Sequence, residues 1–151
     1  YRVAVGNQVI ESQGLAAAKW SQIYLGKGNI IGSDISNAQL MLVHGEQHAY
    51  AGRWPDIEDI LETADMPEWQ IQILQNWQIR YFVVDRRLVS QNNMAGLYFD
   101  WTGGGRVSNA ELYPAVISEK FDKQPKASRV FDSGNIAIYD VSELRNVSRF
   151  R

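Results

Sequence analysis

Apolar positions change their period along this chain, and each change marks an element. Over residues 10–24, Ile10, Ala17 and Tyr24 recur at seven-residue steps, with Trp20 and Ile23 on the same broad face. That pattern predicts an amphipathic helix. Gly26 and Gly28 follow it and stop it. Residues 29–34 (NIIGSD) read as a short buried strand ending on an aspartate. Ser36 and Asn37 are the expected caps of a helix over residues 38–44, which Gly45 ends. Residues 46–53 fit a loop or a short edge strand. Pro55, followed by Asp56, Glu58 and Asp59, has the chemistry of a helix start, and Ile57, Ile60 and Leu61 give that helix an apolar face. Pro67 opens another helix over residues 68–77, with Trp69, Ile73, Leu74 and Trp77 at helical spacing.

The period then shortens. Residues 79–85 (IRYFVVD) are rich in β-branched and aromatic side chains and nearly continuous in apolar character, as in a strand buried on both faces. Residues 97–101 predict a further strand. Residues 102–106 (TGGGR) predict a loop, because consecutive glycines lose too much backbone entropy in a regular element. A loop and a short helix are expected over residues 110–121, interrupted near Pro114. The chain closes with a hairpin, residues 129–132 (RVFD) and 135–141 (NIAIYDV) flanking Ser133-Gly134. Helices alternate with strands in the first half, and a hairpin follows. The fold class expected is α/β: a helix-covered mixed sheet with parallel central strands and an antiparallel C-terminal hairpin. Without a repeat, a low-complexity segment or a dividing linker, residues 1–151 read as a single α/β domain.

Composition narrows the function classes. The 45% hydrophobic and 21% charged fractions are those of a globular protein. A formal charge of −2, from 15 basic and 17 acidic residues, argues against nucleic acid as a partner. The lack of cysteine removes disulfides, thiolate metal sites and a cysteine nucleophile. No run approaches the ~18 apolar residues that a spanning helix needs. The first residue is Tyr1 rather than Met, so the chain is expected to be a fragment or a processed product of a longer polypeptide.

Asp34 and Asp85 are the leading candidate pair. Each closes an expected parallel strand, and open α/β sheets bind ligands in the crevice outside such strand ends. If the strands are neighbours, the carboxylates face each other and can hold a cation or a ligand hydroxyl; otherwise each caps the following turn. Asp85-Arg86-Arg87 either clamps an anionic ligand or pairs with nearby acids at the surface. Gly103-Gly104-Gly105-Arg106 has the composition of a phosphate cradle but neither the dinucleotide nor the P-loop spacing. His44 and His48, four apart, would share a helix face as metal ligands only if Gly45 did not end the helix. Of the five tryptophans, Trp20, Trp69 and Trp77 fall on apolar helix faces and read as core. Trp54 and Trp101 lie beside loops, placed to stack on a sugar or sit at a membrane interface. Asn146-Val147-Ser148 is a formal glycosylation sequon. No Gly-x-Ser-x-Gly elbow is present, and no catalytic set or cofactor motif emerges. The ligand-binding set expected is therefore Asp34, Asp85, Arg86, Trp101 and Arg106, with neither a metal site nor a cofactor expected.

Several phrases combine into a family resemblance. Trp20 and Tyr24-Leu25-Gly26 precede Ser33-Asp34, Asn37 and Gly45; then come RYFVVDRRL over residues 80–88, GLYF over residues 96–99 and RVFDSGNIAIYDV over residues 129–141. In this order they resemble the C-terminal extracytoplasmic domain of bacterial multi-spanning membrane proteins similar to dolichyl-phosphate-mannose-type glycosyltransferases. The resemblance implies a non-catalytic accessory domain, membrane-anchored on the extracytoplasmic face. Its implied partners are the transmembrane portion of the same polypeptide and a glycan or lipid-linked sugar. Catalytic acids of such transferases lie in membrane loops, and no residue here matches them. The alternative expectation is a small ligand- or cation-binding α/β domain, with or without enzymatic activity, using the strand-end aspartates.

Overall fold

The computed structural model describes residues 12–52, 57–61, 63–89 and 119–149. Helix α1 (Ser12–Tyr24) leads to strand β1 (Ile30–Gly32), helix α2 (Ile35–Val43) and strand β2 (His48–Tyr50). A 3-10 turn (Glu58–Leu61) and helix α3 (Glu68–Asn76) precede strand β3 (Tyr81–Asp85), which runs straight into a second 3-10 turn (Arg86–Val89). The hairpin β4 (Ser128–Asp132) and β5 (Ile136–Asp140) and a last 3-10 turn (Leu144–Arg149) complete the described elements. The expected strand over residues 97–101, the glycine loop and most of the region around Pro114 lie outside the described residues.

The five strands form one mixed sheet in the order β2-β1-β3-β5-β4. β1 pairs parallel with β2 and β3, whereas β5 runs antiparallel to both β3 and β4. The fold class expected from the sequence is the one observed.

Alternation along β3 divides the core between two faces of the sheet. Tyr81 and Val83 join Ile136 and Ile138 under α1 and α2, with Ala17, Ala18, Ile31 and Met41. Phe82 and Val84 join Ala137 and Tyr139 on the other face, packed by Ile57, Ile60, Leu74 and Phe121. All five residues of β3 are buried, which is why the sequence reads as a nearly unbroken apolar run. From β1 the chain steps outward through α2 to β2, then back across through α3 to β3. Right-handed crossovers in opposite directions put their helices on opposite faces, as here.

Local details depart from expectation in four places, the first being the helix expected after Pro55, of which the described residues form a 3-10 turn over Glu58–Leu61. α1 buries Gly14, Ala17, Ala18 and Ser21, while Ile23 and Tyr24, expected on its apolar face, are about 70% exposed. Small side chains let α1 approach α2 closely, and bulky ones at those positions would hold the helices apart. α2 starts earlier than expected, capped by Asp34 rather than by Ser36 or Asn37. Trp69, expected in the core, is 44% exposed on α3, where Gln70 and Leu74 take the buried positions.

Candidate functional site

Because β1 and β3 are parallel neighbours, their carboxyl ends share one edge of the sheet. The strand order also reverses there, since β1 connects onward to β2 while β3 lies on its other side. Helices leaving such a point diverge and open a crevice between strand ends. Asp34 follows β1 by two residues and Asp85 is the last residue of β3. The structure therefore brings together the two aspartates singled out in the sequence.

Asn37 fills the space between them. Asp34 adopts an extended backbone at the start of α2, and its Oδ1 accepts the Asn37 backbone N–H at 2.9 Å, satisfying an otherwise unpaired amide of the first turn. The side-chain amide of Asn37 then donates to Asp34 Oδ2 at 2.8 Å and to Asp85 Oδ2 at 3.2 Å. Ser33 Oγ lies 3.4 Å from Asp34 Oδ2. On the far side, Arg87 donates to Asp85 Oδ1 through its backbone N–H at 3.1 Å and its Nε at 2.9 Å. Its NH2 reaches Asp85 Oδ2 at 2.6 Å, making a two-pronged ion pair. Every member is buried: Asp34 is 1% exposed, Asn37 2%, Asp85 3% and Arg87 7%.

Burial and, after it, the neighbouring charge of Asp85 push the Asp34 carboxyl up to about 7, against the hydrogen bonds from Asn37 that favour its ionised form. All four carboxylate oxygens already accept an N–H donor. A hard cation takes six to eight oxygen ligands. These donors would have to leave before one could enter, so the arrangement suits an internal hydrogen-bonded bridge. The capping reading of the aspartates holds, each bonding a backbone N–H two or three residues on, and the two also converge, on the Asn37 amide rather than on a ligand.

Arg86 points elsewhere. Its guanidinium binds Asp132 at 2.9 Å, the Gly134 carbonyl at 3.1 Å and the Tyr139 hydroxyl at 3.4 Å, with Asp122 at 3.9 Å. Arg129 binds the same two acids. The Arg86 hydrogen bond holds the Asp132 carboxyl below the usual carboxylate range. This network ties the second 3-10 turn to the hairpin. It is the surface pairing anticipated for Arg86, and Arg87 makes the buried pair instead.

Trp101, Arg106, the glycine loop and Trp54 lie outside the described residues. The two histidines do not share a helix face: His44 is the C-cap of α2 and His48 opens β2. Gly45 does end the helix, as its position suggested. Among the described residues no group of three or more histidine, aspartate or glutamate side chains is placed to hold a metal. Asn37 is the member that sequence reasoning missed. Its signal was the three-residue step from Asp34, the spacing of a helix cap to the residue that reaches back to it.

These elements define a five-stranded mixed α/β domain with a buried polar bridge at its strand-order reversal. That fold is shared with the crystal structure of the C-terminal globular domain of an oligosaccharyltransferase from Archaeoglobus fulgidus, at a TM-score of 0.62. The match covers 89% of this chain and 99% of that one at 11% identity, so the likeness is one of fold. No protein-family model and no curated protein matches the sequence. Among the described residues, no helix is long and apolar enough to cross a membrane.

Proposed function

We propose that this chain is a non-catalytic accessory domain of a membrane-embedded, glycosyltransferase-like protein. It stands on the extracytoplasmic face, packs on the transmembrane portion of the same polypeptide, and assists recognition of an acceptor glycan or a lipid-linked sugar. The observation that carries this reading is the fold match, which spans nearly the whole of an oligosaccharyltransferase's C-terminal globular domain. The family phrases in the sequence support the same class of protein from an independent direction. The internal satisfaction of the Asp34–Asn37–Asp85–Arg87 bridge agrees with it too, because these groups serve the fold rather than a reacting atom.

The test is to express the full reading frame from which this chain comes, fractionate the cells, and add protease from the outer side of the membrane. A membrane-bound product from which protease releases this domain is expected. A product that remains in the soluble fraction, or a domain that outside protease never reaches, overturns the reading.

A further inference from the structure

The strand-order reversal holds two buried carboxyls against one buried guanidinium. Asp34 is presented by the start of α2 and Asp85 by the end of β3, and the Asn37 amide divides its two hydrogens between them at 2.8 and 3.2 Å. Arg87, from the 3-10 turn after β3, directs its two-pronged contact at Asp85. Ser33 adds a neutral hydroxyl beside Asp34. Asp85 is the charged group that faces Asp34 among the described residues, and Arg87 faces Asp85 from its other side. Ionising Asp34 as well places an extra negative charge in a site that water does not reach.

We propose that the Asp34–Asn37–Asp85 bridge is a proton-linked latch that fastens the first turn of α2 to the carboxyl end of β3 and to the turn that follows. With a proton on Asp34 the bridge is closed and charge-balanced. Without it, two carboxylate charges stand on either side of one amide in a buried site, and their repulsion loosens the end of β3 from α2. The second 3-10 turn is held by the same bridge through Arg87, so the loosening reaches the point where the chain passes into residues 90–118.

The direction with pH follows from the raised value of about 7 against an ordinary 3.8. An acid whose pKa is higher in the folded state favours folding in its protonated form. Its contribution is full below the ordinary value and is lost as pH rises through the folded one. The latch is therefore tight in mildly acidic solution and loose in mildly alkaline solution. It depends on no membrane context, so it stands or falls apart from the accessory-domain reading.

The test is a pH series of thermal unfolding and of amide hydrogen exchange on this domain, wild type beside Asp34→Asn, the uncharged mimic of the closed form. Both carry His44→Gln and His48→Gln, which takes the two imidazoles of the chain out of the comparison, and both keep Lys120, held down to about 8, so that its contribution is common to the two profiles. The wild-type melting temperature should fall by several degrees from about pH 5 to about pH 8. Exchange at the Asn37 and Arg87 amides, corrected for its intrinsic pH dependence, should quicken several-fold over the same range. The Asp34→Asn protein should show neither change. A flat wild-type profile, or an Asp34→Asn profile as steep as the wild type, overturns the proposal. If Asp34→Asn does not fold, carbon NMR of the Asp34 carboxyl in the unsubstituted domain decides. A midpoint near neutrality supports the latch, and one near the ordinary 3.8 removes it.

Discussion

Gly45 shows how tightly single positions are specified. A Cβ built there would stand 2.6 Å from the Met41 carbonyl oxygen, 2.9 Å from Ser21 Oγ and 3.2 Å from the Ala18 carbonyl oxygen. Two of these are backbone atoms, so relief requires both the last turn of α2, which carries Met41, and α1, which carries Ala18, to shift. Gly45→Ala should therefore destabilise the domain by about 1–3 kcal/mol, the usual cost of overpacking, as read by urea denaturation. An unchanged midpoint would mean that the helices can separate freely. The same close approach accounts for the small residues along α1. Gly14, Ala17, Ala18 and Ser21 follow a helical i, i+3, i+4, i+7 rhythm, legible once the eye is not drawn to Trp20, Ile23 and Tyr24. Those larger residues lie to the side or outside, where Trp20 stacks on Tyr24 and packs on Phe131.

At the scale of elements, β3 organises the molecule. It pairs with β1 on one side and β5 on the other, and its side chains enter both halves of the core. Val83 faces the α1–α2 layer and Val84 the α3 layer, and each has at most 4% of its surface exposed. Val83→Ala and Val84→Ala should each lower stability by about 1–3 kcal/mol in chemical denaturation, since both faces are covered and neither cavity can fill with water at no cost. A loss at one position only would mean that one layer collapses into the space. The hairpin behaves differently: β4 is an edge strand with mostly exposed side chains and a register shift between Arg129 and Phe131. A bulge and charged side chains discourage further strand pairing at an edge. The strand character of residues 79–85 and the turn at Ser133-Gly134 were both plain in the sequence, because burial and turn chemistry act locally. The neighbour relation of β1 and β3 was not, because it depends on where two crossovers return.

Across the whole molecule, Lys120 joins parts that are distant in the chain. It is fully buried, and its ammonium donates to the Ile60 carbonyl, to Gln70 Oε1 and to Thr63 Oγ1. Burial pulls it down to about 8, and the charge of Asp65 opposes that. Gln70 in turn donates to the Asp59 carbonyl and Thr63. One cation thus fastens residues 119–124 to the 3-10 turn before α3 and to α3 itself. Lys120→Met keeps the side-chain length but removes the donors. It should cost about 1–3 kcal/mol in urea denaturation, because the Ile60 and Gln70 acceptors lose a buried partner. A gain in stability would mean instead that the cost of burying the ammonium exceeds what its three acceptors return.

The sequence by itself determined the three helices, the buried central strand, the closing hairpin and the α/β class, because hydrophobic period, glycine placement and turn residues are local properties that a single chain displays. It also marked Asp34 and Asp85 as strand-end acids. What only the tertiary structure decided is their partnership: a parallel pairing between residues some fifty positions apart, the Asn37 amide that spans them, and the choice of Arg87 over Arg86 as the buried cation. Those outcomes depend on which faces the crossovers cover and on which side chain can reach a water-free carboxylate. Such choices are made by packing and desolvation after the elements have met, and nothing in the local pattern of the chain expresses them.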